Sequence, residues 1–280
     1  MKNKVVEIFG FQFLLDEKDS LGLSSQNSFE PETFSALNKI ITPGMCSIDV
    51  GANIGYFTVF MSKWSKKQGK VYAIEPNALN FDILSKNVKL NNCSNVELFN
   101  IAVGESSGVL PLFLSEYNQG MHRLYPSELC TKKTEEIVVR RLDEVFQDQK
   151  IDLIKIDIEG FEYFALKGAL EILQRNLSIK IISEYCPATC LEAGAKPSNL
   201  LFFLEKMGFH VFDTKANEIS YLELYKDARI YEDYGKDRFV NECHGKSNPE
   251  ILEHITSFSK SNGCTRPILE ELIFSREAPW

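Results

Sequence analysis

No apolar run in this 280-residue chain approaches the roughly 18 residues that a membrane-spanning helix requires. The stretch Val5 to Leu15 is apolar but interrupted by Glu7 and Gln12, so a hairpin turning at Gly10 describes it better than a secretory leader. Positive charge is also in deficit: 31 Lys and Arg face 39 Asp and Glu, a net charge of -8. Binding a polyanion draws its affinity from clustered cations, so a nucleic-acid partner is not expected. The pairs Lys66-Lys67 and Arg140-Arg141 read as solvated surface. Cysteine pairs at the two-residue gap of structural zinc sites are missing, and seven scattered cysteines build no disulfide framework. Cys186, Cys190, Cys243-His244 and Cys264 therefore read as thiols that pack, and a divalent metal held by Asp157 and its neighbours is the alternative not favoured. Repeats and low-complexity tracts are absent as well. What these absences leave is a cytoplasmic protein with no membrane span, large enough for one substantial core.

What is present is an alternation of strand and helix patterns. Strand candidates are Met45 to Val50, Val71 to Glu75, Val96 to Val103, Leu153 to Ile158, Ile179 to Tyr185 and His210 to Asp213. Helical stripes run over Ala78 to Leu90 and Phe161 to Leu173, and Pro197-Ser198 opens another that Gly208 closes. This rhythm predicts an α/β fold, a doubly wound and mostly parallel sheet. Gly108 to Leu114 and Ile137 to Leu142 break the rhythm as an inserted strand pair, leaving Tyr117 to Lys133 as a candidate active-site loop. The expected organisation is an N-terminal hairpin and helix over 1–44, the sheet domain over 45–215, and a C-terminal extension packed on it over 216–280. Within that extension Tyr221 to Tyr225 reads as a further strand and Asn248 to Ile255 as a capped helix. The aromatics between Tyr221 and Phe239 read as cover for the sheet edge.

The most informative run is Asp49-Val50-Gly51-Ala52-Asn53-Ile54-Gly55-Tyr56-Phe57-Thr58, a strand ending in an acid, two glycines and a helix start. A dinucleotide fingerprint wants a glycine where Asn53 stands, which disfavours a pyrophosphate cradle. About twenty residues further on, a second strand ends in Glu75-Pro76, where a carboxylate can grip ribose hydroxyls. The pair points to a nucleoside ligand without phosphates.

Asp49 to Gly55, Glu75-Pro76, and Lys155-Ile156-Asp157-Ile158-Glu159-Gly160-Phe161-Glu162 resemble, in order and spacing, the signature blocks of the FkbM-type S-adenosylmethionine-dependent methyltransferases. Phe29-Glu30-Pro31-Glu32 is similar to the acidic element upstream of the glycine loop in such proteins, so the resemblance runs from Phe29 to Phe212. It implies a Rossmann-like methyltransferase domain, S-adenosylmethionine as cofactor with S-adenosylhomocysteine as product, and O-methylation of a small molecule, natural product or sugar.

Strand tips then receive roles, because ligands of doubly wound sheets sit outside the carboxyl ends of the strands. Asp49 should hold the loop or the methionine ammonium, with Gly51, Asn53 and Gly55 approaching the adenosyl moiety. Phe57 and Thr58 open a helix whose free N–H groups suit the methionine carboxylate. Glu75 and Pro76 should meet the ribose, and Asn100-Ile101-Ala102 the adenine. Glu30 is a candidate for the cofactor ammonium, with a helix-start carboxylate beside Pro31 as the plainer alternative. Transfer to a hydroxyl needs a base, for which Asp157, Glu184 and His122 are the candidates. Base methylation is disfavoured, since Asp157-Ile158-Glu159-Gly160 stands where an Asn/Asp-Pro-Pro-aromatic turn would be. An N-methyltransferase, a non-catalytic nucleoside-binding module and a nicotinamide oxidoreductase stay open as alternatives.

Overall fold

The computed structural model describes residues 4–280 apart from 27, 117, 128–129, 245, 247, 263 and 265–269. The hairpin expected around Gly10 forms from β1 (Val5–Ile8) and β2 (Phe11–Leu14), closed by Phe9 and Gly10 at positive φ. It packs on α1 (Pro31–Ile40), where Pro31 supplies a preset φ at the helix start. Phe9, Phe13 and Phe34 stack against Tyr56 and Phe60 of the next helix at centroid separations of 4.9 to 6.3 Å.

From there the chain alternates as its sequence predicts: β3 (Cys46–Val50), α2 (Tyr56–Ser65), β4 (Lys70–Ile74), α3 (Ala78–Leu90) and β5 (Val96–Phe99). Asn77 caps α3 by accepting the N–H groups of Leu79 and Asn80. The single strand expected over Val96 to Val103 is two. Asn100 donates its side-chain amide to the carbonyls of Glu75 and Pro76, and beyond it β6 (Ala102–Val103) joins another sheet. There it pairs in parallel with β8 (Thr134–Arg140), which forms the inserted antiparallel pair with β7 (Gly108–Phe113).

After the short α4 (Leu142–Val145), β9 (Leu153–Ile156) returns to the centre of the main sheet. The helix expected over Phe161 to Leu173 breaks into α5 (Glu162–Lys167) and α6 (Leu170–Arg175). A Cβ at Gly168 would lie 2.1 Å from the Gly104 carbonyl oxygen, so the close approach that breaks the helix requires glycine. The chain continues through β10 (Lys180–Tyr185), α7 (Pro187–Glu192), α8 (Pro197–Lys206), β11 (His210–Phe212) and β12 (Glu218–Ile219).

Tyr221 to Tyr225, read above as a strand, instead starts α9 (Tyr221–Tyr234): Ser220 caps it, and Leu224, Ala228 and Tyr231 repeat at helical spacing to face the core. Then come α10 (Lys236–Cys243), α11 (Asn248–Ser261) and β13 (Glu270–Ser275).

The main sheet runs β12-β11-β13-β10-β9-β3-β4-β5. The strands β10, β9, β3, β4 and β5 are parallel, and β13 enters antiparallel between β10 and β11. The expected α/β doubly wound fold is thus observed. Residues 270–275, placed above in a packed extension, are a strand inside the sheet. The sheet is buried on both faces by separate cores, as a mostly parallel sheet must be. Ile48, Ile154, Ile156 and Ile181 belong to one, and Val71, Ala73, Leu153 and Ile182 to the other. Each of the Val, Leu and Ile side chains contributes about 1.5 to 3 kcal/mol by leaving water. A third core joins α7 to α9, α10 and α11 through Leu191, Tyr231, Tyr234, Phe239 and Ile255. The C-terminal aromatics therefore cover the fold, and the thiols of Cys186 and Cys243 pack among them. No described helix is long and apolar enough to cross a membrane.

Candidate active site

The strand order reverses between β3 and β9, and a cavity of about 370 Å³ opens at the carboxyl ends of these strands. Of the residues assigned from sequence, Glu30, Gly51, Asn53, Phe57, Glu75, Pro76, Ile101, Ala102, Asp157, His122 and Glu184 line it. Asp49, Gly55, Thr58 and Asn100 do not. Asp49 is fully buried and accepts the Thr58 hydroxyl at 2.6 Å, so this pair ties β3 to α2 beneath the loop. Gly55 backs onto α3, where a Cβ would lie 2.6 Å from Leu84 Cδ1. The Asn100 amide is spent on the Glu75-Pro76 turn.

Asn53 takes φ +49°, a left-handed conformation that asparagine tolerates, and its N–H donates to Glu75 Oε2 at 2.9 Å. The loop N–H that would serve a phosphate in a dinucleotide site is here consumed by the acid of the next strand. Asn77 N–H holds the other Glu75 oxygen at 2.9 Å. Burial, opposed by these bonds, pushes the Glu75 carboxyl up to about 7. The Asn80 side chain also bonds this carboxylate, which still has room for a ribose hydroxyl, and Asn53 Oδ1 is buried without a partner. With the apolar walls Ile74, Pro76 and Ile101, these residues fit a nucleoside. Glu75→Ala should weaken S-adenosylhomocysteine affinity by about 1 to 3 kcal/mol in a calorimetric titration; unchanged affinity would move the sugar elsewhere.

The other half of the cavity is acidic. Glu30 sits at the start of α1 with φ +40°, makes no capping hydrogen bond, and has Oε2 buried and unpartnered. Burial and then the Asp157 charge raise its carboxyl to about 7. Lys155, fully buried on β9, is absent from the sequence assignments although strand alternation sets it on the face opposite Ile154 and Ile156. Its ammonium lies 3.1 Å from Asp157 Oδ2 and 3.9 Å from Asp49 Oδ1. Burial opposes that charge, and Asp157, Asp49 and Glu30 overcome it. Glu184 is 8% exposed with Oε2 unpartnered, and burial among Glu159, Asp157 and Glu162 pushes its carboxyl well up.

His122 accepts the Ser115 N–H on Nδ1 at 3.0 Å, and burial lowers its pKa to about 4. The ring is neutral with its proton on Nε2, so it offers a donor to the cavity where a base was expected. Its segment closes over the site: Gln119 N–H donates to Ser20 Oγ, and Asn80 donates to the Gln119 carbonyl. The loop expected from Tyr117 to Lys133 falls partly outside the described residues, at 117 and 128–129. Next to His122, Arg123 is 1% exposed and bridges Glu159 at 3.0 Å and Glu192 at 2.5 Å. Sequence reasoning missed it because only the burial of its partners shows what an arginine in a loop does.

The sequence profile of the Methyltransferase FkbM domain matches residues 49–211, more than half of the chain. The chain belongs to the FkbM methyltransferase family. Its methyl donor is S-adenosylmethionine. Among relatives of this FkbM methyltransferase, methyltransferase sdnD of Sordaria araneosa is 29% identical over 205 residues, 60% of this chain and 75% of that protein. The hexuronic acid methyltransferase AglP of Haloferax volcanii is 28% identical over 170 residues, 60% of this chain and 65% of that one. Among solved structures, a precorrin-6y C5,15-methyltransferase of Geobacter metallireducens, 16% identical, covers 71% of this FkbM chain and 78% of its own, with a TM-score of 0.43.

Proposed function

We propose that this methyltransferase O-methylates a hydroxyl of a small molecule, natural product or sugar, with Asp157 taking the hydroxyl proton. S-adenosylmethionine supplies a methyl group on a sulfonium, a leaving group that needs no help from an acid. Gly51, Asn53, Glu75 and Ile101 hold its nucleoside end and Glu30 its ammonium. The residues at the reacting end have two tasks, alignment and proton removal, with water kept out. The observation that carries the reading is the Asp157 carboxylate on the cavity wall, held by the buried Lys155 at 3.1 Å. That contact fixes the carboxylate in place at the cavity wall. Glu184 lacks such a cation, and His122 has its acceptor nitrogen engaged. The name of AglP supports a sugar among the acceptor classes.

An extract-wide screen with labelled methyl donor supplies an acceptor for the test. Asp157→Asn should lower turnover by about 10² to 10⁴ while S-adenosylhomocysteine affinity changes little. His122→Ala should raise KM more than it lowers kcat, because a lost donor weakens binding rather than proton removal. Retained turnover in Asp157→Asn would discard the proposed base. A methyl carbon on nitrogen in the product's NMR spectrum would discard O-methylation.

A further inference from the structure

Residues 118–122 line the cavity as one short segment that ends in His122. A Cβ on Gly120 would lie 2.9 Å from Asn53 Nδ2, so the backbone there rests directly on the glycine loop, beside the Asn53–Glu75 bond. Two anchors hold the segment. On one side the Gln119 N–H donates to Ser20 Oγ at 2.9 Å and the Asn118 amide donates to the Ser20 carbonyl at 3.3 Å. Asp16 in turn fixes Ser20 by accepting its N–H and its hydroxyl. On the other side Asn80 donates to the Gln119 carbonyl at 2.8 Å.

The two anchors differ in what stands behind them. Ser20 ties the segment to the turn at Asp16, whereas Asn80 ties it to the ligand site, because the same side chain bonds the Glu75 carboxylate that is assigned to the ribose. Asn80 is 2% exposed and sits in the first turn of α3, its own N–H held by the Asn77 cap, so the amide extends from a fixed base. Its Oδ1 is covered and has no partner. A buried acceptor left open is costly, and a ribose hydroxyl on Glu75 is the group placed to relieve it.

We infer that Asn80 is a positioning residue that couples ribose binding to closure of residues 118–122, so that the acceptor site is completed only over a bound cofactor and the methyl donor binds before the acceptor. The inference rests on the methyl-transfer reading of the cavity. With sugar hydroxyls on Glu75 and on the Asn80 oxygen, the amide is held on every side and its N–H stays aimed at Gln119. Without the sugar the amide can turn, and the segment keeps the Ser20 anchor alone. The order of binding follows from the same geometry. Gln119 and Gly120 lie over the seat of the sugar, so a nucleoside enters while the segment is lifted, and lifting it carries His122 away from the acceptor.

Hydrogen exchange of the wild type should show the amides of residues 119–121 slowed about tenfold or more by saturating S-adenosylhomocysteine. In Asn80→Ala that slowing should vanish although S-adenosylhomocysteine still saturates the protein, with affinity lowered about tenfold. Asn80→Ser carries the same expectation if the alanine variant does not fold. Ser20→Ala separates coupling from mere support: loss of this anchor should speed exchange with and without ligand yet leave the ligand's slowing in place, the pattern a purely structural Asn80 would also give. An acceptor taken from the labelling screen should bind the S-adenosylhomocysteine complex and give no heat with the protein alone. Equal slowing in wild type and Asn80→Ala overturns the coupling, as does a wild type that binds S-adenosylhomocysteine with no slowing at these amides. Acceptor binding that is the same with and without S-adenosylhomocysteine overturns the order. A wild type that binds no S-adenosylhomocysteine would instead be a failure of the cofactor reading.

Discussion

Gly51→Val should abolish S-adenosylhomocysteine binding and lower stability by about 3 kcal/mol or more. The sequence argument put the offending side chain against a ligand; the structure puts it against the protein itself. Gly51 has φ +78°, and a Cβ there would lie 1.9 Å from the Asp157 carbonyl oxygen and 3.1 Å from Ile158 Cγ2. Both obstacles belong to the segment that carries the proposed base, and the nearer is backbone, which cannot swing aside as a side-chain tip can. The tip of β3 and the exit from β9 therefore approach each other in a way that no β-carbon permits. A valine must push them apart, and the displacement moves Asp157 and the Asn53–Glu75 bond together. Thermal unfolding and calorimetry on the same sample check this. Gly51→Ala should lose the same property in smaller measure, since the clash begins at Cβ. Wild-type melting and affinity in the alanine variant would refute the loop geometry.

Arg123→Met should destabilise the fold by about 3 to 5 kcal/mol, because it leaves Glu159 and Glu192 buried without their cation. The arginine is fully enclosed, its charge kept against burial by Tyr125, Glu159 and Glu192. It joins the segment carrying His122 to the turn after β9 and to α7, and the Tyr125 hydroxyl repeats the link by donating to the Glu159 carbonyl. Burial already raises the Glu159 carboxyl, with Arg123 lowering it. Without the arginine it rises further. A carboxyl whose pKa is raised in the folded state favours folding while protonated and loses that contribution as pH climbs through the folded value. The deficit of the variant should therefore be smallest at acid pH and grow toward neutrality. Chemical denaturation at several pH values reads this directly, and adding Glu159→Gln should recover part of the loss. A deficit under about 1 kcal/mol, or one flat in pH, would mean the bridge is dispensable.

Much of the scaffold was legible because its signals are local. Asn77 before an apolar stripe started α3 where expected, and buried runs such as Ile179 to Tyr185 announced central strands. The errors have local causes too. Tyr221 to Tyr225 has aromatic, strand-like composition, but its capping serine and the contacts of Leu224 with the core made it a helix. The Val96 to Val103 run looked continuous until the Asn100 amide turned it. In the site, the glycine loop and the two acids at strand tips could be placed from sequence, because doubly wound sheets put loop and tip together whatever the rest of the chain does. From sequence Asp49 was given either the loop or the methionine ammonium, and Thr58 was read for its helix-start N–H; the structure gives Asp49 the loop role. Nothing in their spacing showed that they would satisfy each other instead.

The order of residues alone thus determined the α/β class, the glycine loop and Glu75 at the cavity and the family, all of which depend on neighbours within one strand-loop-helix unit. Tertiary structure decided which buried charges face one another. Lys155 neutralises Asp157 from the same strand, but Arg123 must cross to Glu192, and Glu271 meets Glu30 and Asp157 only because β13 enters the sheet beside β10. Burial is what makes these pairings matter, and burial is a property of the assembled sheet and helices that no single segment carries.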